Sequence, residues 1–334
     1  MAQPTHDPHS YYEDGNIVLR AFSRSQNSHI VYCLHRSILV KHSPVFANMF
    51  TMPPPPTVAQ YAGIPLVDMP DDADALGEFI RILYDSQYFS KLLIANDFTL
   101  KLLGPCQLAN KYQADWIRDM TAEKLRQSWP DTLVGWLGLT EEEREQASRD
   151  VMGDFNGDWE PEWEDPAFQP RRLPEPVTSI LLARECDVPS ILPPAFLDLL
   201  RCLPEPDPID PWLAVYDKKI ESTLLPADDW HRLYRARERM GKWFSDYPYP
   251  PPSSSNETMT ACKGPTSKNC EAAIYRTWLA MGQRMARCGD ILQSNLPEED
   301  TKGICLECLT KLNAEVGILQ QQFWKKLIYF FSLD

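Results

Sequence analysis

A chain of 334 residues, 43% hydrophobic and 11% aromatic, is long enough to bury more than one core, and ordinary domain size points to two. Its 33 basic against 47 acidic residues leave a net charge of −14, a field that repels phosphate backbones and anionic lipid and argues against nucleic acid or a membrane surface as a direct partner. No apolar run approaches the ~18 residues of a membrane span, and the N-terminus shows neither a basic patch before an apolar stretch nor Arg-rich transit character, so cytosol or nucleus is the expected compartment.

Residues 1–13 are expected to be disordered, and a first folded block runs over 14–128. Asn16 to Phe22 and Ile30 to Leu34 are short β-branched apolar runs that predict a hairpin. His35 to Val40 and Ser43 to Phe50 have helical character, with Ser43 as N-cap and Pro44 at the first helical position, where its missing N–H costs nothing. Ile64 to Asp68 reads as a third strand whose Pro65 suggests an edge. Asp71 to Tyr84 returns to helical spacing with Leu76, Phe79, Ile80 and Leu83 on one face, and Thr99 to Tyr112 and Ala114 to Trp129 follow as two more amphipathic segments.

That order, and the run Tyr32-Cys-Leu-His35-Arg36-Ser-Ile-Leu39 followed by Ser43-Pro-Val-Phe46-Ala-Asn-Met49-Phe50, resembles the BTB/POZ domain, and in its finer features the BTB proteins expanded in mushroom-forming fungi. The likeness covers about a third of the chain. It implies an α+β domain that homodimerises through a helical face and paired strand edges, and it allows an adaptor role toward a cullin-type ubiquitin ligase. His35, Arg36, Leu39, Ser43, Phe46, Met49 and Phe50 carry the motif. Leu39, Phe46 and Met49 are either part of that dimer face or ordinary core, since helical apolar spacing fits both. His35, where a strand meets a helix, is read as a hydrogen-bonded structural residue in preference to a base or ligand. One departure stands out. Many BTB domains carry an aspartate where this chain has Asn16, and an amide cannot make a charged pair with a basic residue such as Arg36.

Residues 129–176 read as an acidic, Pro-rich linker. Asp154, Asn156, Asp158 and Asp165 fall at calcium-loop spacings, but Trp159 occupies the position that needs glycine and Pro161 interrupts, so a solvated linker is favoured over an ion site. Residues 177–334 read as all-helical, with candidates at Thr178 to Asp187, Pro194 to Cys202 and Asp228 to Lys242. Two long C-terminal seams follow, Ile274, Trp278, Met281, Met285, Cys288 and Leu292, then Cys305, Leu309, Leu312, Val316, Leu319 and Phe323. Their spacing predicts an antiparallel helical hairpin turning at Asn295 to Thr301.

Nine cysteines without a secretory signal are read as reduced thiols. Such a hairpin would bring Cys288 near Cys305 and Cys308, and with Cys262 and Cys270 these could supply thiolates to a zinc ion. A single C-x-x-C is half of such a signal, so core thiols are the preferred reading, with no cofactor assigned. No histidine follows His231, which excludes a Cys2His2 finger. No phosphate loop, nucleophile elbow, H-E-x-x-H or dinucleotide fingerprint occurs, and no catalytic residue is assigned. The expected function is a homodimerising protein-interaction scaffold. The alternatives are a zinc-stabilised transcriptional regulator that does not itself touch DNA, and an enzyme with a pocket in the helical domain.

Overall fold

The computed structural model describes residues 4–53, 59–139, 141–142, 173–203, 220–247, 262, 267–288, 291–292, 296 and 301–333. It is α+β. Two compact units are present, residues 1–127 with 181–189, and residues 128–180 with 190–334.

The first unit holds a five-stranded sheet of order β1-β3-β2-β5-β4, from β1 (Thr5–Tyr11), β2 (Ile17–Ser23), β3 (Ser28–Leu34), β4 (Gln60–Tyr61) and β5 (Ile64–Asp72). The expected hairpin is β2–β3, paired from Ile17 opposite Leu34 to Ser23 opposite Ser28. Both strands are buried along most of their length, which their continuous apolar runs require. After the hairpin come α1 (Arg36–His42) and α2 (Pro44–Thr51), and β5 then lies parallel to β2, with Val18 beside Leu66 and Leu19 beside Val67. The proline in β5 fits its place, because only the two-residue β4 covers its outer side, pairing Gln60 with Pro65.

The described part of 1–13, residues 4–13, does not behave as expected. Thr5–Tyr11 forms β1, parallel to β3 with Thr5 opposite Ile30 and a register break between His6 and Tyr11. That segment contains Pro8, which has no N–H to give a ladder. Order here comes from the waiting edge of β3 and not from any apolar pattern in the strand itself.

Helices α3 (Ala73–Tyr84), α4 (Ser86–Ile94), α5 (Phe98–Tyr112) and α6 (Asp115–Ser128) complete the unit. Asp72 caps α3 by accepting from the Asp74 N–H, and Leu76, Phe79, Ile80 and Leu83 are all buried, as their spacing predicts. Asp85 caps α4, accepting from the N–H groups of Gln87 and Tyr88. Between α5 and α6 the chain passes through Gln113 in the left-handed region (φ 54°).

The second unit contains helices only, among the described residues. They are α7 (Pro176–Glu185), α8 (Leu192–Cys202), α9 (Ala227–Ser245), α10 (Ser267–Cys288), α11 (Leu306–Lys325) and α12 (Leu327–Phe331), with a short helical segment at 133–139. The division expected at 177 is shifted, since 181–189, including the end of α7, belongs to the first unit. There Asn110 Nδ2 donates to Glu185 O at 2.7 Å and to its Oε2 at 2.8 Å. Aromatic stacks join the second unit, Phe196 on Phe331 at 5.4 Å and Phe244 on Trp278 at 5.2 Å between ring centroids. Arg232 and Arg239 of α9 donate to the carbonyls of residues 329–332 that end α12, as cations favour a helix C-terminus.

The predicted antiparallel hairpin of α10 and α11 is overturned. Cys270, at the start of α10, accepts from the N–H of Cys305, which caps the start of α11. At the other end Gln320 Nε2 donates to Ile291 O at 2.9 Å. Start meets start and end meets end, so the two helices run in the same direction. Ile274, Trp278, Met281, Met285, Leu312, Val316, Leu319 and Phe323 are all buried as their spacing requires. The turn at 295–301 falls almost wholly outside the described residues, as do the linker over 143–172 with its calcium-like spacing and the loop at 204–211. No helix among the described residues is long and apolar enough to cross a membrane.

Candidate functional site

In the first unit the motif residues divide by depth. Leu39 and Phe46 are fully buried, Phe46 stacking on Tyr112 at 4.6 Å and 8° between ring planes. They are core, and neither can contribute to a dimer face. Met49 and Phe50 are half-buried. Ser43 Oγ accepts from the Phe46 N–H at 3.1 Å, the expected N-cap, and donates to Tyr112 O at 2.5 Å, so one hydroxyl starts α2 and ties it to the end of α5. Arg36 is exposed, with its guanidinium 5.4 Å from the Phe50 ring centroid. Asn16 Oδ1 accepts from the Arg36 backbone N–H at 2.9 Å, so this amide serves the start of α1.

His35 is held on both ring nitrogens, Nδ1 lying 3.2 Å from the Tyr84 hydroxyl and Nε2 3.2 Å from Asp14 Oδ1. Its backbone N–H donates to the same hydroxyl at 2.8 Å. Burial pushes the Tyr84 phenol up to about 12, so it is not an anion at neutral pH, and its bonds to His35 orient the end of β3. Tyr12 stacks on Tyr84 at 4.8 Å and closes the cluster.

A groove of about 250 Å³ runs between β1 and α3, lined among others by His9, Tyr32, Asp74, Glu78 and Arg81. The fold itself engages most of its polar groups. Asp74 accepts from Ser23 and Ser25, Glu78 accepts from the Tyr88 hydroxyl, Arg81 lies over the Tyr88 ring, and the Tyr32 hydroxyl donates to Ala73 O at 2.6 Å. Burial pushes the Tyr32 phenol far up. This is shape-holding chemistry.

The second unit brings together what the sequence left scattered. The sulfurs of Cys262, Cys270, Cys305 and Cys308 all lie within 4.8 Å of one another, with Cys262 and Cys305 at 3.9 Å. Cys270 and Cys308 are buried and the other two half-buried. Gly303 takes φ +93°, a conformation open to glycine, and this bend delivers Cys305 to the start of α11. The Cys305 N–H donates to Cys270 Sγ at 3.2 Å, and the Cys308 N–H to Cys305 Sγ. The Cys308 backbone N–H first, and then the thiols of Cys308, Cys270 and Cys262, hold the Cys305 thiol down to about 7, while burial pushes Cys308 up. Of the zinc candidates Cys262, Cys270, Cys288, Cys305 and Cys308, all but Cys288 are in the cluster. Cys288 ends α10, its side chain lying outside the described ones, and with the helices parallel its place is taken by Cys270. The C-x-x-C was the readable half of this site, and the other half depends on helix direction, which no local spacing encodes.

None of the eight cysteines whose side chains are described is joined in a disulfide. Comparison of the chain with known protein families, with curated proteins and with solved structures finds no match.

Proposed function

We propose that the chain acts through protein contacts, as a homodimerising scaffold or adaptor built on a BTB/POZ-like first unit. The observation that carries this is the chain order, a central β2–β3 hairpin, the α1–α2 pair, then β5 laid parallel beside β2 and followed by helices, which is the order that the resemblance calls for. Fold alone does not specify function, but the use of the polar groups points the same way. Ser43, His35, Tyr84, Asp74 and Glu78 are spent on holding the frame, which leaves display of a surface as its work. Bare apolar positions are available on that frame, Met52 and Ile94 being 67% and 78% exposed. A cullin is the partner class the resemblance brings with it.

Sedimentation equilibrium of the purified chain, together with binding of a purified cullin N-terminal domain, tests this. A dimer that persists at low micromolar concentration is expected, with saturable cullin binding. A monomer across the accessible range that ignores the cullin would remove the reading.

A further inference from the structure

We propose that Cys262, Cys270, Cys305 and Cys308 together hold one zinc ion in a tetrahedral four-thiolate site that pins the starts of α10 and α11 to each other. The geometry sets the nuclearity. Zinc–thiolate bonds of about 2.3 Å place the sulfurs of a tetrahedron about 3.8 Å apart, and here the Cys262 to Cys305 edge is 3.9 Å with every other edge within 4.8 Å. A polynuclear iron–sulfur cluster binds its thiolates on separate irons and holds them farther apart, whereas one ion needs a set this tight.

Disulfide chemistry explains the cluster less well. A bonded pair lies about 2.05 Å apart, and any one bridge would leave two further sulfurs packed beside it for no purpose. Backbone donors fit metal-bound thiolates better, because the N–H groups of Cys305 and Cys308 point at sulfur in the way outer-shell donors support charged ligands. Four thiolates around a divalent cation carry a net charge of −2, and positive groups are at hand. The first turn of the 20-residue α11 begins at the cluster, and Arg276 donates to Lys302 O at 3.2 Å, beside Gly303. With four protein ligands no position is left for water or substrate, so the role of the ion is structural and not catalytic.

The purified chain, prepared under reductant and passed over chelating resin, is expected to retain one zinc per molecule by elemental analysis. Cobalt(II) exchanged for it should give the charge-transfer and visible bands of a tetrahedral tetrathiolate complex. Cys270→Ser and Cys308→Ser should each weaken binding by more than the roughly 10- to 100-fold that loss of an outer-shell partner costs, while Cys202→Ser keeps its zinc. If the serine variants do not fold, the zinc content and cobalt spectrum of the unaltered chain decide alone. The proposal is overturned by a folded chain that stays metal-free after incubation with zinc, by stoichiometric iron in its place, or by cobalt bands unchanged in Cys308→Ser.

Discussion

In the first unit β2 and β3 form the centre of a five-stranded sheet, and the helices that follow pack apolar faces such as Leu76, Phe79, Ile80 and Leu83 into the same core. In the described part of the second unit no strand contributes, and α8 to α12 are joined by stacked rings, by arginine-to-carbonyl bonds and by a knot of thiols. A sheet supplies register through its ladder, so each strand knows its neighbour. Helices recognise one another only through side chains, and direction is then decided by a few specific ties. Cys270 to Cys305 at one end and Gln320 to Ile291 at the other perform that task here.

The largest expected difference between the units comes from emptying the first core. Phe46→Ala removes a fully buried ring stacked on Tyr112 and should cost about 3–5 kcal/mol. Read by hydrogen exchange, protection should fall across β2, β3 and α5 and hold in α11. Equal loss in α11 would mean that the units unfold as one. The matching experiment on the second unit is Arg232→Met, which keeps the aliphatic stem but removes donation to Phe331 O at 2.6 Å. A hydrogen bond from a charged donor is worth about 1.5–3 kcal/mol, so α12 should lose protection while the sheet keeps its own. Unchanged exchange at residues 327–331 would show that ring packing and the Arg239 bonds to the Tyr329 and Phe330 carbonyls seat α12 without Arg232.

What could be read in advance follows from the same contrast. The β2–β3 hairpin, the Ser43 cap and the buried face of α3 are local, each legible within one short stretch of chain, and the structure has them where spacing predicts. β1 was not legible, because Thr5–Tyr11 has no apolar alternation and contains Pro8, and its order is imposed by β3. The seams of α10 and α11 were legible as buried faces but not as partners. Heptad spacing says which side is covered, not by what or in which direction, so the antiparallel reading puts Cys288 beside Cys305 and Cys308, where the structure has Cys270. Cys305 and Cys308 announce half of the thiol cluster by their spacing, whereas Cys262 and Cys270, eight apart in the chain, are offered as ligands only by their nearness in sequence to that pair.

Within the first unit, smaller perturbations separate packing from charge. Gly15 precedes β2 with its φ unremarkable, but a Cβ there would lie 2.6 Å from Cys33 Sγ and 2.9 Å from Leu34 N. Backbone cannot yield as a side-chain tip can, so Gly15→Ala should cost about 1–3 kcal/mol by overpacking. The measurement is the denaturation midpoint. A midpoint equal to that of the unaltered chain would mean that the end of β3 gives way freely.

The smallest effect tests charge at the sheet edge. Arg20 of β2 donates to both Asp68 oxygens of β5, at 2.6 Å and 2.9 Å, across the parallel register that sets these residues side by side. Those bonds hold the Asp68 carboxyl below its ordinary value. A carboxyl depressed in the folded state contributes stability that is complete above its unfolded value, about 3.9, and is lost as pH falls through the folded one. Since the Asp68 side chain is 63% exposed, water and salt screen the pair, and about 0.2–1 kcal/mol is the expected size. Asp68→Asn should therefore be slightly less stable than the unaltered chain at neutral pH, by a margin that shrinks in salt and closes as the solution is acidified below about pH 4. A margin that widened in acid would mean that the pair opposes the folded sheet, with apolar contacts alone, such as Val18 with Leu66, keeping β5 against β2.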